Sequence, residues 1–262
     1  MDKEAHAQRQ LGSLRLVALL VVAALMPGPL MLNQGNWWAF VLVTVGIVAA
    51  LRLLFGPQWA DYAGLRLSPT HAVLTVITFA VVVVGAAMLL PRIYTTTGLR
   101  ADAPNLEQQF GFLFQSFNEE VFFRALMIGF FAQYVRSALV ISFALAFLFA
   151  AAHFLLYRYS NPMHLALSLT SLATLFLAGL AMNNLYLAFR HIGFSWALHA
   201  GWNVAWLPAI FYDAATNERL HEPQVFDRVL GAPATIVVAC VMAALSLAFF
   251  ARAQGASAAK PG

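Results

Sequence analysis

The chain has 262 residues, of which 61% are hydrophobic and only 10% charged, with a formal net charge of +4 and a mean hydropathy of +0.75. Soluble domains carry about 25% charged residues, so this composition excludes a water-soluble globule and implies a polytopic membrane protein. The Lys and Arg residues are scattered between apolar runs without a basic cluster, which argues against a nucleic-acid partner, and the single cysteine, Cys240, excludes an intrachain disulfide or a cysteine-based metal site.

In chain order, residues 1–13 read as a polar N-terminal tail, and residues 14–251 as a single transmembrane domain. The apolar runs are continuous rather than alternating, so the fold class expected is all-α, a polytopic membrane helical bundle of about eight transmembrane helices. Span one runs from Leu14 to about Leu32 and is interrupted by Pro27-Gly28-Pro29; without a convincing cleavage site it reads as a retained span. Span two is Trp37 to Phe55, with tryptophans suited to the interface. A hydrophilic connection, 56–70, leads to span three, His71 to Leu90, with Pro91-Arg92 as its stop. Residues 91–109 read as a loop with a short lead-in helix.

Span four covers 110–134, and span five, Ser137 to Tyr157, follows a turn at Arg136. Span six runs from about His164 to Phe189, and a tight turn at 190–193 precedes span seven, Phe194 to Phe211. The charged stretch 212–228 reads as a loop before span eight, Val229 to Phe250, and residues 252–262 as a disordered tail. Eight spans put both termini on one face. That face holds Lys3, Arg9, Arg15, Arg52, Arg66, Arg136, Arg190, Arg252 and Lys260, and the other Arg92, Arg100, Arg158, Arg219 and Arg228. The excess places both termini in the cytoplasm.

Span four is the exception to this apolar pattern, because it holds Glu119, Glu120 and Arg124. An ionised group at bilayer depth costs about 2.5–3.5 kcal/mol on insertion scales, so three of them need a reason. Glu120 and Arg124 are i and i+4 on one helical face and can neutralise each other. Glu119 lies about 100° round the helix and is left free to act on something else. The bland alternative is a buried ion pair that only fixes helix packing. Three further polar residues stand inside spans: His153 in span five, and His199 with Asn203, an i, i+4 pair, in span seven. A lone intramembrane histidine is often only hydrogen-bonded to a neighbouring helix. A shared polar pocket nevertheless accounts for Glu, His and His/Asn on three spans more economically than separate defects.

Such a set admits two chemistries. A carboxylate can take a proton from water, with an imidazole orienting that water, while an amide and an imidazole donate to a developing oxyanion. Two His and one Glu can equally bind Zn²⁺ with one position open to water, which makes His153 and His199 candidate metal ligands. The chain lacks a His-Glu-x-x-His motif, so spacing does not establish a metal. Ser116 and Ser195 lack a Gly-x-Ser-x-Gly elbow, and serine chemistry is not supported.

Glu119-Glu120-x-x-x-Arg124, then Phe149-x-x-x-His153, then His199-x-x-x-Asn203, in this order on successive spans, resembles the CPBP family of intramembrane metalloproteases. These are related to the CAAX prenyl endopeptidases and to bacteriocin-processing and self-immunity proteins. The approach from Phe176-Leu177-Ala178-Gly179 to Gly193-Phe194-Ser195-Trp196 is similar as well, and the resemblance covers about residues 105–210. Ala125 departs from the glycine that commonly follows the arginine. The resemblance implies an intramembrane endopeptidase acting on a peptide or protein substrate in the lipid bilayer. It implies Glu119 as the base that activates water, His153 as its assistant, and His199 with Asn203 as oxyanion or metal ligands. Glu120 and Arg124 would be the pair that aims Glu119. The short loops suggest a bacterial inner-membrane protein with an open substrate identity. Two other readings are a non-proteolytic peptide-binding or immunity protein and a proton-coupled transporter, although the inverted halves of a transporter are not evident. One expectation sits awkwardly: His153 falls late in span five and His199 early in span seven, although the two spans run in the same direction.

Overall fold

The computed structural model describes residues 3–26, 37–65, 68–102, 106–159, 167–206 and 210–258. The chain is an all-α polytopic bundle. Among the described residues, five helices are long and apolar enough to cross a membrane: Trp37–Tyr62, Pro69–Thr97, Ala138–Arg158, Leu169–Phe189 and Pro233–Gln254.

Helix α1 spans Lys3–Leu25 and therefore takes in residues expected to be a tail. That stretch is rich in Lys, Glu, Ala, Gln and Arg, which favour helix. The expected end of span one, near Leu32, lies outside the described residues. Helix α2 is Trp37–Phe55, as the hydropathy pattern indicates. It is followed by a 3₁₀ turn, Gly56–Gln58, and a single helical turn, Trp59–Tyr62.

Helix α3, Pro69–Thr97, starts where Ser68 accepts a hydrogen bond from the His71 amide. It does not stop at Pro91 but runs through it, ending at Gly98 with φ 66°. Proline in a helix forfeits one backbone hydrogen bond. Leu90 and Ile93, on either side of it, are 3% and 0% exposed, and continuing the helix keeps both in the core.

Beyond Gly98 the expected loop forms a strand. Strand β1, Leu99–Ala101, pairs antiparallel with β2, Phe211–Asp213, with Leu99 opposite Asp213 and Ala101 opposite Phe211. The pairing settles the backbone groups of two segments that hydropathy alone assigned to a loop and to the end of span seven.

Helix α4 begins as Leu106–Glu120, widens into a π-helical stretch, Val121–Ile128, and closes with Gly129–Phe131. Helix α5 is Ala138–Tyr159 and α6 is Leu169–Phe189. Residues 160–166, where span six was expected to begin, lie outside the described residues. Helix α7 is described over Ile192–Trp206, and Phe211, where the seventh span was expected to end, lies in strand β2.

Helix α8, Glu222–Leu230, occupies the expected loop, and α9, Pro233–Ala258, begins after Gly231-Ala232 rather than at Val229. Helix α9 also continues through Ala258, into the stretch expected to be disordered.

The helices pack chiefly as α6 on α9, α3 on α7, α5 on α6 and α2 on α4. Two apolar clusters result. One joins Val22, Ile47, Leu51, Val121, Ile128 and Ile192; the other joins Leu90, Ile93, Phe123, Phe149, Trp206 and Phe226. The π-helical stretch of α4 lies between them, giving Val121 to one and Phe123 to the other. Hydrophobicity does not hold helices together in lipid, so polar contacts contribute. Asn183 donates to the Ser142 carbonyl at 2.8 Å, the Ser142 hydroxyl to Asn184 Oδ1 at 2.8 Å, and Asn184 Nδ2 to Ser246 Oγ at 3.3 Å, tying α5, α6 and α9 together.

Candidate active site

Helices α4 and α7 bring most of the polar residues together. Glu120 is fully buried, and its Oε1 lies 3.0 Å from Arg124 Nη1. The i, i+4 pair expected on span four is therefore formed, at the point where α4 turns π-helical. Such stretches occur often at functional sites. The Arg124 guanidinium is also fully buried, 4.8 Å from the Phe149 ring centroid and 5.6 Å from that of Phe123. Aromatic faces of this kind attract a cation that water does not reach.

Glu120 has a second partner. His199 Nδ1 lies 2.9 Å from the same Oε1. The carboxylate only accepts, so Nδ1 is the protonated nitrogen and donates to it. This fixes the ring and turns Nε2 toward Glu119, whose Oε2 is 3.7 Å away. Glu119 Oε2 is buried and without a hydrogen-bond partner, whereas Oε1 accepts from Gln115 Nε2 at 3.1 Å. Glu119 and His199 keep 11% and 9% side-chain exposure, in contrast to 0% for Glu120 and Arg124. The two groups that face each other across the gap are thus the ones nearest to solvent.

Asn203, one turn beyond His199, donates from Nδ2 to Ser116 Oγ at 3.1 Å. His153 on α5 donates from Nδ1 to the Phe149 carbonyl at 2.9 Å. Its ring packs 4.4 Å from the Phe149 ring and lies nearly parallel to Phe226 of α8, 6.2 Å away. Phe149 also meets the edge of His199, at 6.0 Å.

The expected conflict of register between His153 and His199 is bridged by Phe149 of α5. The Phe149 ring centroid lies 4.4 Å from that of His153 and 6.0 Å from that of His199, so the two imidazoles flank one aromatic side chain.

Gln115 and Ser116 are functional neighbours that sequence reasoning passed over as partners. Gln115 precedes Glu119 by four residues, and that spacing is the signal for their hydrogen bond. Ser116 offers no comparable signal, because its partner is on another helix.

Metal binding was an open alternative for His153 and His199. Both rings spend Nδ1–H on a fixed acceptor and leave Nε2 available, as supported metal ligands do. Among the described residues, however, no three His, Cys, Asp or Glu side chains converge closely enough to hold one ion. The described residues in this arrangement do not by themselves supply three such ligands to one ion.

What the arrangement offers instead is a buried carboxylate oxygen facing an oriented imidazole, with a carboxamide one turn further along. Residues 106–205 match the family model described as Type II CAAX prenyl endopeptidase Rce1-like. That range covers the described part of α4, the described part of α7 up to residue 205, and the helices between them. No curated protein and no solved structure matches the chain.

Proposed function

We propose, from the premise that this chain belongs to the CAAX prenyl endopeptidase family, that Glu119 is the general base of a peptide hydrolysis carried out between α4, α5 and α7. The family is one of membrane proteases, and the substrates of that family are membrane-associated prenylated peptides. For this chain the substrate class proposed is a membrane-embedded or lipid-modified peptide. The observation that carries the reading is the orphaned Glu119 Oε2, 3.7 Å from His199 Nε2. A buried carboxylate oxygen without a partner is costly, and a water molecule between base and imidazole removes that cost.

In this mechanism Glu119 takes a proton from water, and the hydroxide attacks the scissile carbonyl carbon. The electron pair of the carbonyl moves to oxygen. The oxyanion accepts from His199 Nε2, when that nitrogen carries a proton, and from the second N–H of Asn203 Nδ2. Glu119 then delivers its proton to the leaving amine, and the C–N bond breaks. His153, held by the Phe149 carbonyl, assists by orienting the water. Glu120 and Arg124 stay paired throughout. Glu120 acts on the reaction by holding His199, and no step is routed through a metal.

The excess of Lys and Arg on the face that carries both ends supports cytoplasmic termini, and the short connections suit a bacterial inner membrane.

The test is turnover by detergent-purified protein of a farnesylated peptide with a carboxy-terminal CAAX sequence, beside unmodified membrane peptides. Wild-type protein is expected to release a carboxy-terminal fragment from the lipid-modified peptide, and Glu119→Gln to release none while remaining folded. Full turnover by Glu119→Gln sinks the assignment.

A further inference from the structure

We propose that Ser116 is a positioning residue of this site, fixing the Asn203 carboxamide so that its second N–H faces the reaction centre. The proposal rests on the hydrolytic reading above. Helices α4 and α7 are joined by two polar rungs. His199 meets Glu120 at 2.9 Å, and Asn203 meets Ser116 at 3.1 Å. Each step is four residues, forward along α7 and backward along α4, so the helices run antiparallel and the rungs are about 6 Å apart. The first rung is charge-assisted and orients the imidazole. The second does the same for the amide.

The amide needs such a partner. The terminal torsion of asparagine joins an sp³ to an sp² carbon and has no sharp wells of its own. A hydrogen bond therefore decides which way the carboxamide turns. Ser116 is 0% exposed, so water does not compete for its hydroxyl. With one Nδ2 proton given to Ser116 Oγ, the other remains for a ligand. Ser116 thereby acts through Asn203 and not as a nucleophile. Its Oγ is the acceptor for Asn203, and its nearest motif neighbours, Glu119 and Glu120, are one turn along the same helix.

The test is a double-mutant cycle on kcat and KM, using the farnesylated peptide. Ser116→Ala is expected to lower kcat about threefold to tenfold, as loss of one neutral hydrogen bond does, with KM unchanged. In an Asn203→Ala background the same change is expected to have no further effect. Ser116→Cys, nearly isosteric but a weak acceptor, guards against a packing artefact and is expected to show the same loss at an unchanged melting temperature. Wild-type turnover by Ser116→Ala or Ser116→Cys, beside an impaired Asn203→Ala, overturns this proposal alone. So does an equal loss from Ser116→Ala with and without Asn203. Full turnover by Asn203→Ala overturns the oxyanion role assigned to Asn203, and the proposal with it.

Discussion

His199 Nδ1 lies 2.9 Å from Glu120 Oε1, the same oxygen that lies 3.0 Å from Arg124 Nη1. One carboxylate oxygen therefore serves two cations or donors on different helices. Through it the fully buried ion pair of α4 sets the orientation of the imidazole on α7. In the proposed mechanism the Glu120–Arg124 pair therefore acts through His199 and is not only a packing device.

Glu120→Gln is expected to keep the side-chain shape while weakening its hold on His199. Hydrogen bonds to charged groups contribute about 1.5–3 kcal/mol, so kcat should fall about tenfold to a hundredfold. The fall for Glu119→Gln should be larger, about 10²–10⁴-fold, because the base itself is removed. Steady-state rates for the two variants in one detergent check the order. A milder effect at Glu119 than at Glu120 would reverse the roles of the two carboxylates.

Arg124→Ala is expected to damage the fold more than Glu119→Gln. Both partners of the Arg124–Glu120 pair are 0% exposed, and deleting one leaves a buried charge behind. Such deletions cost about 3–5 kcal/mol. Melting temperatures of the two variants in the same micelles decide it. Equal values would remove the structural role of Arg124.

The ribbon gives a prediction in pH. Arg228 Nη1 lies 2.9 Å from Asp213 Oδ2, and the Asp213 carboxyl is held below its ordinary value, chiefly by this hydrogen bond and then by the Thr216 and Ala215 amides. A carboxylate that is more acidic when folded stabilises the fold above its unfolded pKa. That contribution is lost as pH falls through the folded value, so the window opens below about pH 4. The melting temperature of wild-type protein should approach that of Asp213→Asn as pH falls through this range, and the gap at neutral pH should narrow with salt. A gap independent of pH would exclude the assignment.

Gly193→Ala is expected to destabilise the start of α7. A Cβ at Gly193 would overlap Thr75 Oγ1 and His191 Cε1, whereas a Cβ at Gly85 of α3 meets nothing within 4 Å. Overpacking costs about 1–3 kcal/mol. His199 stands six residues further along the same helix, so activity should fall with stability. Gly85→Ala serves as the control, since alanine is the better helix former. Thermal melts of both variants test the contrast, and equal melting temperatures would show that the α7 start has slack.

The sequence by itself determined the all-α bundle and the helices that carry the polar motifs. Both follow from local rules: continuous apolar runs must form helices in lipid, and an ionised group there needs a partner within reach. The Glu120–Arg124 pair was legible for that reason, because i, i+4 spacing is set within one helix. The tertiary structure decided what spacing leaves open. It continued α3 through Pro91, because Leu90 and Ile93 are buried by other elements. It paired Leu99–Ala101 with Phe211–Asp213 across more than a hundred residues and set α7 against α4 so that His199 meets Glu120. It also gave Asn203 to Ser116, a serine whose own sequence context marks it for nothing. Contacts between helices depend on where each one starts, how it is rotated and what flanks it, and these are fixed only when the whole bundle packs.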